Sequence, residues 1–239
     1  MDNELIIKNN ELVKYTNCDD ITWEFSYKII KIPEGVTKIC NEAFRGACDI
    51  KGVVIPSSVK TIEKHAFYHC LGLEVVLMEE GVEEIAEGAF DSCHGLKELY
   101  IPRSVKTIRK ASFMGCESIE QLIIPTGVLE LQDYCFGFCN SLKQVYLSNS
   151  AEFIVKGSLM ECGKPQIFGE SGTAAELFAE ENKLEFIKVS QTEIDEIHSS
   201  LYNTCKEKTA ARVLYSEGDT FWASENFMKL VKNYENAQL

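Results

Sequence analysis

Apolar and polar positions alternate in this chain on a fixed step of 23 residues. From Ile29 to Cys162 each unit reads apolar-x-x-apolar-x-apolar-Pro-x-(Gly/Ser)-Val-x-x-Ile-x-x-x-(Ala/Ser)-Phe-x-x-Cys, most cleanly from Ile50 through Val53, Ile55, Pro56, Ser58, Val59, Ile62, Ala66 and Phe67 to Cys70. The stretch before the proline alternates and is rich in Val, Ile, Leu and Tyr, which predicts one short strand per unit, closed by a proline that lacks the ladder donor. Gly35, Ser58, Gly81, Ser104, Gly127 and Ser150 follow two residues later, where a small residue lets the chain turn. The remaining apolar residues return inward along a second arm.

Three residue types keep this step together: Pro33, Pro56, Glu79, Pro102, Pro125 and Ser148; Phe44, Phe67, Phe90, Phe113 and Phe136, with Leu159 in the sixth place; and Cys70, Cys93, Cys116, Cys139 and Cys162. A locked period of this length is the signature of a stacked repeat protein. No single rung can bury its own apolar side, so inward positions must form ladders through the stack. Two of them are Ile30, Val53, Val76, Leu99, Leu122, Val145 and Ile39, Ile62, Ile85, Ile108, Leu131, Ile154.

The unit from Ile55 to Cys70 resembles the BspA-type leucine-rich repeat. Gly169-Glu-Ser-Gly-Thr-Ala-Ala-Glu-Leu-Phe-Ala-Glu-Glu-Asn182, followed by Leu184-Glu-Phe-Ile-Lys-Val189, is similar to the ending that often closes such arrays. The resemblance implies an α/β solenoid, a right-handed leucine-rich-repeat coil. On that basis residues 1–28 are expected to form N-terminal capping strands, 29–162 six repeats, 163–189 a strand-helix-strand cap and 190–239 a helical tail. It implies a bacterial or protist binding protein, usually surface-bound or secreted, and brings no catalytic residues with it.

A formal charge of -13 argues against nucleic acid or an anionic membrane as partner, since both need clustered Lys and Arg. The acidic start, Met1-Asp-Asn-Glu, lacks the basic flank of a signal peptide, and no apolar run approaches the length of a membrane helix. A cytoplasmic location is therefore expected, with the cell surface or secretion as the alternative if an upstream segment is missing. Of ten cysteines, five share one repeat position, which reads as a ladder of reduced, buried thiols rather than a disulfide framework. Cys135 also falls at an inward position. Glu79, Glu80, Glu83, Glu84 and Glu87 crowd one rung, but the repeat sets Lys60, Lys64, Arg103, Lys106 and Lys110 beside them, so cross-rung ion pairs are expected rather than a calcium site.

No zincin motif, Walker loop, paired C-x-x-C, nucleophile elbow or dinucleotide fingerprint occurs, and no cofactor is expected. The one constellation for a metal-dependent enzyme is His65, His69 and His94 with Cys70. Against it, His65 aligns with Glu42 and Gly88, a variable position, and Cys70 belongs to the buried ladder.

Within each strand, residues one and three before the proline point inward, so those two and four before it face out. Two before stand Lys31, Val54, Leu77, Tyr100, Ile123 and Tyr146; four before stand Ile29, Gly52, Val75, Glu98, Gln121 and Gln144. An apolar row with a polar border marks an interaction surface. Val54, Leu77, Tyr100, Ile123 and Tyr146, bordered by Glu98, Gln121 and Gln144, are thus the expected docking site for a protein or peptide, or a homodimer seam.

Past Ser190 the spacing becomes helical, with Ile194, Ile197, Leu201 and Cys205 on one stripe, and a second helix is expected near Ser224 with Phe227, Met228, Leu230, Val231 and Tyr234. These helices must bury their stripes on the last rung, on the strand face or on another chain, with the solenoid end the favoured place because open ends need sealing.

Overall fold

A computed structural model describes residues 5–16 and 28–216, with side chains to residue 209. The expected second helix near Ser224 lies outside the described residues. The chain opens with an antiparallel pair, β1 (Leu5–Lys8) and β2 (Glu11–Tyr15). Six rungs follow, each with a longer strand and then a two-residue one: β3 (Lys28–Lys31) and β4 (Lys38–Ile39), β5 (Ile50–Ile55) and β6 (Thr61–Ile62), β7 (Val75–Met78) and β8 (Glu84–Ile85), β9 (Glu98–Tyr100) and β10 (Thr107–Ile108), β11 (Gln121–Ile124) and β12 (Glu130–Leu131), β13 (Gln144–Leu147) and β14 (Phe153–Ile154). The array closes with β15 (Gln166–Gly169), α1 (Ala174–Asn182) and β16 (Phe186–Lys188), and a long helix, α2 (Gln191–Ser216), comes last.

Each rung thus carries a second strand beyond the one expected. The alternating pattern of this arm spans only two residues, too few to read as a strand in the sequence, yet Lys38, Thr61, Glu84, Thr107 and Glu130 stand in register beside one another, partly exposed, while Ile39, Ile62, Ile85, Ile108 and Leu131 point inward. The short strands form one continuous parallel sheet behind β1 and β2. The longer strands form two sheets, β3-β5-β7-β9 and β11-β13-β15-β16, separated between the fourth and fifth rungs.

The core is a set of ladders between these walls. Phe44, Phe67, Phe90, Phe113 and Phe136 stack with ring centroids 4.6 to 5.0 Å apart and planes within 10° of parallel. Tyr15 extends the stack at the N-terminal end, 5.3 Å from Phe44. Behind them each repeat thiol donates to the carbonyl of the phenylalanine one rung back: Cys70 to Phe44, Cys93 to Phe67, Cys116 to Phe90, Cys139 to Phe113 and Cys162 to Phe136, at 2.8 to 3.4 Å. The nine cysteines among the described residues are free thiols, and burial pushes those of Cys70, Cys93 and Cys116 above the ordinary range, so they act as small apolar groups with a weak donor.

The small residue at the turn of each rung does more than turn the chain. Ser58, Ser104 and Ser150 each accept the N–H of the glycine one rung back, at Gly35, Gly81 and Gly127, and donate to the carbonyl of the residue following it, at Val36, Val82 and Val128. Glycine is required in alternate rungs because a β-carbon at Gly81 or Gly127 would lie 2.0 or 1.9 Å from the carbonyl oxygen of Ser57 or Arg103, in a positive-φ backbone. The rungs are therefore clasped in couples, first to second, third to fourth and fifth to sixth.

That coupling accounts for the interruption between β9 and β11. At the unclasped junction of the second and third rungs, Glu79 N–H donates to Ile55 O. At the unclasped junction of the fourth and fifth, the corresponding residue is Pro125, which has no N–H to offer Ile101 O. Neither tie holds the strands together there. The bonds seen elsewhere, Lys97 N to Glu74 O and Lys143 N to Glu120 O, have no counterpart between Glu120 N and Lys97 O among the described residues.

Candidate interaction surface

The outward row of the longer strands is not open. α2 lies along it and runs back from the C-terminal rungs toward the N-terminal ones. Its first turn is fixed by a reciprocal cap, in which Glu193 N donates to Ser190 Oγ while Ser190 N and Oγ donate to the Glu193 carboxylate. Gln191 fastens that end to the solenoid, its N–H on Glu170 and its side-chain oxygen on Asn149 N. The stripe then packs in sequence: Ile194 on Ile123 and Tyr146, with Ile197 and Leu201 beside them, and Leu201, Tyr202 and Cys205 on Val75, Leu77, Tyr100 and Val54.

The exposed docking row expected from the sequence is therefore corrected. Leu77, Tyr100, Ile123 and Tyr146 are all less than a tenth exposed, and Val54 is half-buried. The row is apolar because it has an intramolecular partner. The tail helix also seats on this face rather than on the end of the solenoid, where β15, α1 and β16 already continue the stack. With α2 seated, these residues are covered within the chain. Of the border residues, Glu98 is ion-paired with Lys208 of α2, and Gln121 donates to Gln144 across the rungs at 3.3 Å.

Polar anchors fix the register of the helix. His198 is buried and its Nε2–H donates to Ile101 O at 2.8 Å, taking the carbonyl that Pro125 leaves without a ladder partner. Its ring stacks on Tyr100 at 4.5 Å, and Tyr202 meets the same tyrosine edge-on at 5.0 Å. Burial, with Arg103 nearby, pushes the His198 pKa below its ordinary value, and burial beside Glu80 pushes that of Tyr100 far up. Arg103 was expected beside Glu80; its backbone N–H does donate there, but its guanidinium reaches Asp195 of α2 at 3.1 Å. His198 and Asp195 have no repeat partner, so the 23-residue step gave no sign of them.

The ion pairs between rungs are present at Lys64–Glu87, Lys51–Glu74–Lys97 and Lys143–Glu120, on partly exposed or exposed surface. The histidine constellation lies on the turns that carry the phenylalanines. His65 and His69 occupy left-handed positions that recur in neighbouring rungs, as at Gly88 and Ser92, and the His69 and His94 rings lie 6.3 Å apart. Asp91 is buried among them and accepts from Ser92 Oγ, its pKa raised by burial. Among the described residues no three His, Cys, Asp or Glu side chains converge as metal ligands, and Cys70 points into the core.

Comparison with known proteins adds the lineage. The model of the BspA type leucine rich repeat region matches in six copies, over residues 15–143, 66–172 and 130–216. The chain belongs to the BspA-type leucine-rich repeat family. Among solved structures it is similar to a leucine-rich repeat protein of T. pallidum, TpLRR, at 21% identity and a TM-score of 0.54, over 77% of this chain and 94% of that one. A leucine rich cell surface protein of Faecalibacterium prausnitzii matches at 24% identity and 0.51, over 72% of this chain, and the pneumococcal vaccine antigen PcpA at 17% and 0.53, over 64%. This chain spans about half the length of those two, 54% and 44%. At these identities the likeness is one of fold. No curated protein matches the chain. Among the described residues no helix is long and apolar enough to cross a membrane.

Proposed function

We propose that this BspA-type chain is a non-catalytic binding module that takes a protein or peptide partner on the face of its longer strands, in competition with its own α2. The observation that carries this reading is the seat of α2: an apolar row of Leu77, Tyr100, Ile123 and Tyr146 accommodates an amphipathic helix through residues spaced three and four apart. Helix-in-groove recognition has this form, and a partner helix with the same spacing could replace α2. The family is one of repeat proteins rather than enzymes. A cell-surface role fits that kinship better than the cytosol expected from the sequence, since one neighbour is itself described as a cell surface protein.

The test uses a labelled peptide of residues 190–216 and fluorescence anisotropy. A full-length variant carrying Leu201→Asp and Cys205→Asp, which loosens its own helix, should bind the peptide, and adding Leu77→Lys should abolish binding. A released variant that stays folded by circular dichroism yet ignores the peptide would refute the proposal, as would binding indifferent to Leu77→Lys.

A further inference from the structure

The gap between the two sheets of longer strands is a cavity of about 750 Å³. Its walls are the starts of β9 and β11 with the turns before them, and its roof is α2. Three features set it apart from an ordinary packing fault. The volume lies within the range of small-ligand sites, roughly 300 to 1,000 Å³. The interrupted ladder leaves Glu120 N–H and Lys97 C=O without the cross-rung bond made at neighbouring junctions. And α2 contributes Ser200, Thr204 and Lys208, a polar row at four-residue spacing, to the roof.

The lining carries both signs of charge. Lys97 and Lys208 supply ammonium groups, and Glu98 and Glu120 supply carboxylates. Lys208 is committed to Glu98, and Glu120 meets Lys143 at 2.8 Å on well-exposed surface. Lys97 is the most loosely held, 3.7 Å from Glu74 with more than half its side chain exposed. The glutamates disfavour phosphate or any polyanion, and among the described residues no aromatic ring lines the cavity as a platform for a sugar. A ligand bearing one ammonium, one carboxylate and amide groups satisfies both signs and both open backbone groups.

We propose that the cleft between β9 and β11 is a binding site for a zwitterionic short peptide, its carboxylate on Lys97, its ammonium on Glu120 and its amides on the strand edges. This site is separate from the row beneath α2 and does not require the helix to leave.

Isothermal titration calorimetry of the full chain with trialanine tests it. The expected result is saturable one-to-one binding, lost when N-acetyl-trialanine amide replaces trialanine, lost in Ser200→Trp, which fills the cleft from the roof, and weakened about tenfold or more in Lys97→Ala, as removal of a charge-assisted hydrogen bond requires. Lys97→Ala alters an exposed side chain and keeps the test valid should Ser200→Trp disturb α2. No heat with trialanine, equal affinity for the blocked peptide, or full affinity in Lys97→Ala would each overturn the assignment.

Discussion

The two walls of the solenoid solve the same stacking problem differently. The wall of short strands is continuous and turns Lys38, Thr61, Glu84, Thr107 and Glu130 outward, so it needs no cover. The wall of longer strands turns Leu77, Tyr100, Ile123 and Tyr146 outward, is split in two, and is roofed by α2. Continuity of a ladder is therefore independent of how apolar its outer face is. Coupling between rungs sets the first, and the outward residues set whether a further element must be recruited.

The sharpest way to break the comparison is to remove what both walls share. Phe90→Ala deletes the middle of the ring stack, where the rings of Phe67 and Phe113 lie 4.8 and 5.0 Å away, and should cost about 3 to 5 kcal/mol in chemical denaturation, with both walls failing together. A protein that melts like wild type would show that the stack is not the common support.

A change of pH through the histidine range should act on the roofed wall. Burial lowers the His198 pKa, so the released helix binds a proton more readily than the docked one. Docking is then fully stable above the ordinary histidine value of about 6.5 and weakens as pH falls below it. Hydrogen exchange of α2 should quicken on acidification while the amides of the short strands hold. His198→Gln, which retains an N–H donor for Ile101 O without a titrating ring, should remove that dependence. Equal pH response in the variant would assign the effect to another group.

The smallest effect belongs to the open wall. Lys38 lies between Glu11 and Glu63, at 2.9 and 3.5 Å, and these carboxylates raise its pKa. The pairs are solvated, so Lys38→Met should leave the denaturation midpoint within error at high salt. A clear loss of stability there would mean the open wall depends on charge more than its exposure allows.

What could be read in advance was what repeats. Positions that recur each rung gave the solenoid, the inward ladders and the free thiols, because identical neighbours make each inference many times over. The stripe of Ile194, Ile197, Leu201 and Cys205 was also visible, as was the apolar row it covers. Their meeting was one of three open choices and not the favoured one, since nothing in the spacing ties residue 205 to residue 77. His198 was hidden for the same reason: its partner is a backbone carbonyl, freed by the missing N–H of Pro125. The second strand of each rung escaped notice because two residues carry too little alternation to mark one.

The alternation of glycine and serine from rung to rung limits how such an array can change length. Inserting or deleting a single rung among them would bring two glycines or two serines together. Two glycines would leave the backbone N–H unclasped, and two serines would drive a β-carbon into the carbonyl of the rung before it. Duplication in even numbers preserves the clasp, so tolerated lengths of this solenoid should rise by twos.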